Sequence, residues 1–211
     1  MRTLAADVHQ LSGVPRNAIN VYLVGDVLVD AGTSSAKKRI LRQLAGREVR
    51  AHLVTHAHPD HFGSSHAVCE ALGVPLWTGA TDADDIEQGR PKLPPSRISR
   101  VLAKSKPPPG HPVARRLREG DDIGHGFTVL DAPGHSLGHI ALWREADRTL
   151  ILGDVFFNIR KPGPPPGFLT MDPELNHASM RRLAALRPAL TLFGHGAPLR
   201  EPERLARAAA G

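Results

Sequence analysis

The feature that most constrains this chain is a run of histidines and acids at residues 55–61, which reads Thr-His-Ala-His-Pro-Asp-His. The run places His56, His58, Asp60 and His61 within six positions of one another. Three imidazoles and a carboxylate at such close spacing are typical of a set of metal ligands. The sequence therefore predicts a metal centre before any other function.

The position of this motif indicates where the centre should lie. Residues 49–54 before it read as a strand, and residues 62–72 after it read as a helix. A loop at the carboxyl end of a strand is a usual place for a site in a layered α/β fold. The first two histidines point the same way because side chains alternate along extended backbone, whereas the acid and the last histidine follow the turn at Pro59. The spacing therefore suits two adjacent metals better than one.

Three later segments repeat a simpler pattern, in which an apolar strand leads directly to one possible ligand beside a glycine. These ligands are His135, Asp154 and His195. Glycine next to each of them allows the backbone to approach closely and to adopt unusual dihedral angles. Four strand ends that each deliver histidine or aspartate predict that one edge of the fold is rich in metal-binding groups.

This pattern resembles the metallo-β-lactamase superfamily of metallohydrolases, over roughly residues 18 to 200. The resemblance implies an α/β fold, a four-layer αβ/βα sandwich with the site at one edge between its two sheets. It also implies that His139 supports the site without binding metal. The Asp60 carboxylate could orient the attacking hydroxide by accepting its proton, so Asp60 and His139 are the predicted catalytic residues. Two zinc ions are the expected cofactors, with iron or manganese as alternatives. The resemblance assigns His56, His58 and His135 to one metal, Asp60, His61 and His195 to the second, and Asp154 to both.

The other segments read as strands and helices joined by short turns. We expect a hairpin bent at Gly25-Asp26, a helix over residues 36–44 capped from residues 32–35, a helix capped by Thr81-Asp82, and a helix that starts near Pro173. The other histidines are expected to be structural or on the surface: His9, His52, His66, His111, His125 and His177.

Composition and charge bear on location and partners. The opening residues contain no apolar run, no stretch approaches about 18 apolar residues, and the single cysteine, Cys69, excludes an internal disulfide. We therefore expect a cytoplasmic protein without a membrane partner. The net charge of +6 is concentrated between Arg90 and Arg118, where nine basic residues occur without an acid. We expect one domain over residues 1–211 with a basic, Pro-rich loop at about 90–118.

Substrate contacts are predicted from residues that follow Asp154. Phe156 and Phe157 would form an apolar wall, and Arg160 and Lys161 would contact an anion; packing and a solvated loop are the alternative. The basic segment at 90–118 is interpreted either as a lid that attracts an anionic small-molecule substrate or as a solvated loop.

The predicted function is dinuclear metal-dependent hydrolysis of a small ester, thioester or lactone by hydroxide on the metals. Asp154 argues against a dedicated β-lactamase, and the only tyrosine, Tyr22, on a predicted core strand, argues against a lactonase. The alternatives are a metal-dependent phosphodiesterase or nuclease, which would explain the basic segment, β-lactam hydrolysis as a side activity, and a mononuclear-iron persulfide dioxygenase. A non-enzymatic metal-binding module is a further alternative, although seven intact ligands favour catalysis.

Overall fold

The fold is built from two β-sheets with helices on their outer faces. The structure is a computed structural model and describes residues 1–94 and 106–211. The strands of these residues are β1 (Arg2–Ala5), β2 (Val8–Gln10), β3 (Tyr22–Val24), β4 (Val27–Val29), β5 (Ala51–Val54), β6 (Leu76–Gly79), β7 (Val113–Leu117), β8 (Thr128–Asp131), β9 (Ile140–Arg144), β10 (Thr149–Ile151) and β11 (Leu190–Leu192). The helices are α1 (Lys37–Leu44), α2 (Pro59–Phe62), α3 (Ser65–Leu72), α4 (Ala83–Gln88), α5 (Pro173–Ala185) and α6 (Pro202–Ala210), with a 3₁₀ turn at Gly167–Leu169.

The order of the strands brings several carboxyl ends to one edge. In the larger sheet the order is β1-β2-β3-β4-β5-β6-β7, with antiparallel pairing up to β4 and parallel pairing from β4 to β7. In the smaller sheet the order is β11-β10-β9-β8, and β10 and β11 are parallel. Parallel neighbours end on the same side of their sheet, so the loops that follow β10 and β11 lie together at one edge, as do those that follow β4 and β5 in the larger sheet.

The alternation of side chains along the strands explains why the sheets face one another. On β4, Val27 and Val29 join the cluster between the sheets, whereas Leu28 points to the opposite face. On β9, Leu142 joins the same central cluster and Trp143 faces outward. All of these side chains are buried, including those that point away from the other sheet. Each sheet must therefore be covered on its outer side as well.

Helices provide that outer cover on both sheets. Ile40 of α1 and Val68 of α3 pack with Leu28 on the outer face of the larger sheet. Met180 of α5 and Leu205 of α6 pack against the outer face of the smaller sheet. The resulting order, helix, sheet, sheet, helix, confirms the predicted four-layer αβ/βα sandwich.

The predicted helix over residues 62–72 is interrupted. The chain forms α2 and α3 with a break at Gly63 and Ser64. A β-carbon on Gly63 would lie 2.7 Å from the backbone nitrogen of Ser34, and Ser64 Oγ donates to Thr33 O at 2.6 Å. The helix is thus divided where it packs tightly against the loop that follows β4, a contact that local sequence does not encode.

Two of the predicted helix caps are wrong, while the third is confirmed. Helix α1 has no side-chain cap, because the Thr33 and Ser35 hydroxyls bond to each other. Helix α4 starts after Asp82, but the carboxylate of Asp82 does not cap it. Helix α5 does begin at Pro173, with Asp172 accepting from the backbone N–H of Leu175 at 2.9 Å.

Three strands, β1, β2 and β7, lie where the sequence predicted none. The first ten residues form the hairpin of β1 and β2, which extends the larger sheet. Within the basic segment expected to be a loop at 90–118, residues 113–117 form β7, which pairs in parallel with β6. Residues 95–105 of that segment lie outside the described residues. None of the helices in the described ranges has the length and apolar character that a membrane crossing requires.

Tyr22 connects the two sheets through its hydroxyl. It lies on β3, is buried as predicted, and donates to the carbonyl oxygen of Phe193 at 2.7 Å. Asn20 Nδ2 donates to the same oxygen at 2.8 Å. Phe193 directly follows β11 of the other sheet, so this carbonyl is a junction between the sheets near the start of the His195 loop.

We expect Tyr22→Phe to lower the free energy of unfolding by about 1 kcal/mol, since one buried hydrogen bond is lost while Asn20 still satisfies the carbonyl. Denaturant unfolding at fixed metal loading measures this change. Catalytic activity should be unaffected, because the Tyr22 side chain lies between the sheets. A large loss of activity with unchanged stability would contradict this structural role.

Candidate metal centre

The structure brings all seven predicted ligands together at one edge of the two sheets. His56, His58, Asp60 and His61 follow β5, and His135 follows β8. Asp154 follows β10 and His195 follows β11. The site is thus assembled from four loops that come from both sheets, as the strand-end pattern predicted.

Asp154 lies at the centre of this arrangement. Its Oδ2 atom is 3.3 Å from His61 Nε2, 3.4 Å from His135 Nε2 and 3.2 Å from His195 Nε2. The same oxygen is 3.8 Å from His56 Nε2. One carboxylate oxygen therefore faces the ring nitrogens of four histidines, which is the position that a ligand shared by two metals requires.

The ligand atoms divide into groups that match the expected sets. His56, His58 and His135 place one atom each within 4.8 Å of one another, and so do Asp60, His61 and His195. A third group of the same size joins Asp154 to His56 and His61. The first two groups fit two neighbouring cations, with the Asp154 carboxylate between them.

Outer contacts hold three of the histidines so that Nε2 points inward. His61 Nδ1 donates to Asp30 Oδ2 at 2.8 Å, and His195 Nδ1 donates to the carbonyl oxygen of Ala18. His56 Nδ1 lies 3.1 Å from Thr55 Oγ1. Fixing one ring nitrogen in this way sets the tautomer and leaves the other free to bind a metal.

The charges in the site show how strongly it favours cations. Burial, together with the neighbouring His135, lowers the pKa of His58 to about 3, and burial also holds the pKa of His56 well below its usual value. Burial alone would do the same at His195, but the Asp154 carboxylate raises its pKa to about 10. The same carboxylate outweighs burial at His61 and raises its pKa well above the usual value. The negative charge of the buried carboxylates thus favours positive charge around it, either as protons on these two histidines or as bound cations.

The residues present fit a metal by a direct criterion. His56 Nε2, His58 Nε2 and Asp154 Oδ1 are buried and have no hydrogen-bond partner among the described residues. Unpaired buried polar atoms are costly and need an explanation. In addition, a β-carbon on Gly194 would lie only 2.0 Å from Asp154 Oδ1, so the absence of a side chain there leaves the carboxylate its place. Orphaned nitrogen and oxygen atoms on residues whose ligand atoms lie this close together are typical of metal ligands.

Asp30 is a functional residue that the sequence analysis missed. Its buried carboxylate accepts from the backbone N–H of Thr55 at 2.8 Å, from the Thr55 hydroxyl, and from His61 Nδ1. Its backbone has φ of 61°, a conformation that aspartate tolerates better than most residues. The sequence did contain the same signal that identified the other site residues, since Asp30 is an acid that directly follows a strand and lies two positions before Gly32.

Asp82 is the second missed residue, and it joins two ligand loops. One of its oxygens accepts from Ala57 N at 2.9 Å and from Ser136 Oγ at 2.7 Å, and the other accepts from Gly138 N at 2.8 Å. Ala57 lies between the first two histidines, and Ser136 follows His135. The predicted helix cap is therefore a clamp that holds His56, His58 and His135 in register.

His139 lies behind the ligands rather than among them. It is buried, stacks on His56 with ring centroids 4.7 Å apart, and its Nε2 accepts from the backbone N–H of Asp154 at 2.9 Å. It belongs to none of the ligand groups found among the described residues. Its position suits the expected supporting role, in which it orients Asp154 and does not touch substrate.

A cavity of about 560 Å³ opens onto the ligands. His58, Asp60, His135, Asp154 and His195 line its floor. Its walls are mainly apolar and include two exposed basic residues at the opening to solvent, and they come from Leu93, Pro107, Pro108, Phe157, Leu169, Arg90 and Lys106. The centre is therefore accessible to a molecule of moderate size.

The predicted substrate contacts are only partly placed at this cavity. Phe157 lines it, with its ring centroid 4.5 Å from that of His195. The prediction for Phe156 is wrong, because it is fully buried and packs with Met180 under the smaller sheet. Phe156 lies in a bend and Phe157 in an isolated bridge with Gly163, and only the ring of Phe157 faces the cavity. Arg160 and Lys161 are exposed, and neither is among the described residues that line it.

Comparison with known proteins identifies the family. A family model described as the Metallo-beta-lactamase superfamily matches residues 14–195. The chain belongs to the metallo-beta-lactamase superfamily. It is a metallohydrolase of that superfamily, and its clustered histidines and aspartates fit the metal site of such an enzyme.

Relatives and solved structures agree with this membership. A probable metallo-hydrolase of Bacillus subtilis (strain 168), YflN, is 27% identical over 227 residues, which cover 92% of this chain and 86% of that protein. The solved protein TTHA1623, in a di-iron-bound form, is 30% identical with a TM-score of 0.69, over 98% of this chain and 96% of that one. A hydroxyacylglutathione hydrolase of Alkalilimnicola ehrlichii is 32% identical over 174 residues, which cover 80% of this chain but only 55% of that protein.

Asp30→Asn tests whether the Asp30 carboxylate supports metal binding. Asparagine tolerates the backbone conformation, but its amide cannot accept from His61 as a charged oxygen does. We expect metal affinity to fall about 10- to 100-fold, as for other residues that orient a ligand. Competition with a chromophoric chelator measures this change.

The matched control is Asp84→Asn, which removes an exposed acid that pairs with Arg116. It should leave the affinity unchanged. Equal metal affinity in Asp30→Asn and the wild-type protein would show that His61 needs no carboxylate partner.

Proposed function

We propose that this protein is a dinuclear zinc-dependent hydrolase of small anionic thioesters or esters. The observation that carries the proposal is the pair of ligand groups around Asp154 at the floor of a cavity with basic residues at its mouth. Mixed nitrogen and oxygen ligands suit zinc, and iron is the alternative that the di-iron form of TTHA1623 favours. The proposal places the reaction in the cytoplasm, with a small molecule as the partner.

Each group in the site has a defined task in such a reaction. The ligand groups around Asp154 would hold two cations, which when bound would supply Lewis-acid polarisation of a carbonyl oxygen and activation of water. Asp60 lines the cavity and its Oδ2 is 3.2 Å from His195 Nε2. Burial would raise its pKa, but His61 and His195 hold it at about 2, so this carboxylate is ionised at neutral pH and can accept a hydrogen bond from a water at the centre. Asp30, Asp82 and His139 hold the ligands in place.

The cavity walls support a substrate with an apolar part and a negative charge. Phe157 and Leu169 offer apolar surface beside the ligands, and Arg90 and Lys106 stand exposed at the mouth. Thioesters of glutathione carry carboxylates and fit this combination. The similarity to hydroxyacylglutathione hydrolases supports thioester hydrolysis over the other carbonyl reactions.

The ion pairs of the two arginines on β7, Arg115 and Arg116, argue against a nucleic-acid substrate bound along this strand. On β7, Arg116 forms ion pairs with Asp84 at 2.7 Å and with Glu87 at 2.9 Å. Arg115 lies over the ring of Trp77, 5.3 Å from its centroid, and contacts Asp121. Arginines that are already paired with acids contribute little to a phosphate-binding surface. Phosphodiesterase activity is therefore the less favoured alternative, and the substrate comparison below includes a phosphodiester to test it.

We expect zinc-loaded protein to hydrolyse a glutathione thioester faster than a homoserine lactone, a cephalosporin or an aryl phosphodiester. Asp60→Asn should lower kcat/KM at least about 100-fold, since it removes a charged ligand group and a hydrogen-bond acceptor at the reacting centre. Asp84→Asn is the matched control and should retain activity. Steady-state rates with metal content measured on the same samples provide the comparison. Turnover of the phosphodiester alone would overturn the thioester proposal, and so would loss of activity in both variants.

Arg90 and Lys106 should contribute to the binding of an anionic substrate. We expect the double change Arg90→Gln and Lys106→Gln to raise KM about two- to fivefold for the glutathione thioester at low salt, since exposed charges contribute modestly. The KM for a neutral thioester should not change. Arg160→Gln is the matched control, because Arg160 is equally exposed but lies outside the cavity lining. An equal effect of Arg160→Gln would mean that the overall net charge, rather than the cavity mouth, attracts the substrate.

A further inference from the structure

A second group of possible metal ligands lies outside the Asp154 centre. His66 and Glu70 are on α3, and His111 precedes β7. One ligand atom from each lies within 4.8 Å of the others. The sequence predicted that both histidines are structural or on the surface, since they are 45 positions apart and no motif joins them.

The geometry of the two histidines matches a shared cation. His66 Nδ1 and His111 Nδ1 lie 3.2 Å apart, with ring centroids at 5.4 Å and ring planes inclined by 65°. Two nitrogen ligands at about 2.0–2.1 Å from a tetrahedral zinc ion lie roughly 3.3–3.4 Å apart. The observed separation is thus close to the one that a single zinc ion would impose.

Glu70 provides a third ligand from the same helix face. It follows His66 by four positions, so the two side chains lie one turn apart on α3. Its Oε1 is 3.9 Å from His111 Nδ1, and its side chain is 65% exposed. An exposed glutamate is free to change rotamer, which closes the remaining distance at small cost.

The protonation of the pair also suits a metal. The partly buried His111 has a lowered pKa, because burial and the neighbouring His66 both disfavour its charged form. A neutral imidazole binds a metal without having to lose a proton first. Without a cation the two Nδ1 atoms can make only one hydrogen bond, in which one ring donates to the other.

We propose that His66, Glu70 and His111 form a third divalent-cation site, with zinc as the best-matched ion. Two imidazoles and one carboxylate make a three-ligand set, and water completes the coordination at this partly exposed position. None of the three residues belongs to the groups around Asp154.

A cation at this site restrains one wall of the catalytic cavity. His111 follows closely after Lys106, Pro107 and Pro108, which line that cavity. Its own backbone N–H donates to the carbonyl of Ile86 at 3.4 Å. Binding at His111 therefore ties the end of this wall to α3, which directly follows the first ligand loop. The conformation of the segment that lines the cavity opening would therefore depend on the concentration of free zinc.

The test is a zinc titration of tag-free protein, with bound metal counted by mass spectrometry after gel filtration at micromolar free zinc. Wild-type protein should retain one equivalent more than His66→Gln or His111→Gln. His177→Gln removes a half-buried histidine on α5 and should retain the wild-type count. Glu70→Gln should weaken the extra equivalent without changing the fold, since the side chain is exposed.

The count separates this proposal from the dinuclear one. If the Asp154 centre holds fewer than two ions, the zinc count is lower by the same amount in the wild-type protein and in every variant. The third site is detected only as a difference in zinc count between the wild-type protein and the His66 and His111 variants. Circular dichroism confirms that the variants fold. Equal zinc counts in the wild-type protein and in folded His66→Gln and His111→Gln would overturn the site, and the pair would then be a hydrogen bond between two rings.

Discussion

The buried carboxylate of Asp154 is the constraint on which the rest of the structure depends. It is 2% exposed, and its Oδ2 atom faces four imidazoles. A carboxylate removed from water must be compensated by positive charge, so this position is stable only with cations or with protonated histidines around it. Gly194 lacks a side chain where one would collide with this carboxylate. The convergence of β5, β8, β10 and β11 is the way in which the fold supplies that compensation.

The ligand set and the layered fold were predictable from the sequence because each depends on local pattern. Apolar strands that end in histidine or aspartate are visible along the chain, and alternation on strands such as β9 requires covered sheets. Contacts between distant segments were not predictable in the same way. Asp82 reads as a helix cap, since its neighbours are helical, and only the fold brings Ser136 and Gly138 to its carboxylate.

Errors of orientation have an equally physical source. Phe156 and Phe157 are identical side chains in adjacent positions, and composition cannot tell which one faces the cavity. Their directions follow from the register of the segment after β10, which tertiary pairing determines. The strand β7 was missed for a related reason, because arginines on an edge strand read as a solvated loop. Its arginines are instead held by Trp77 and by acids.

The cavity wall has a consequence for how such a protein diversifies. Leu93, Pro107, Pro108 and Leu169 line the cavity, yet they supply no predicted ligand and take no part in the four hydrophobic clusters. Substitutions at the exposed Pro107 and the half-buried Leu93 and Leu169 therefore remove neither a ligand nor a residue of these clusters. The shape of the cavity and the packing of the sheets are therefore determined by largely different residues in this chain, so the one can vary while the other is kept.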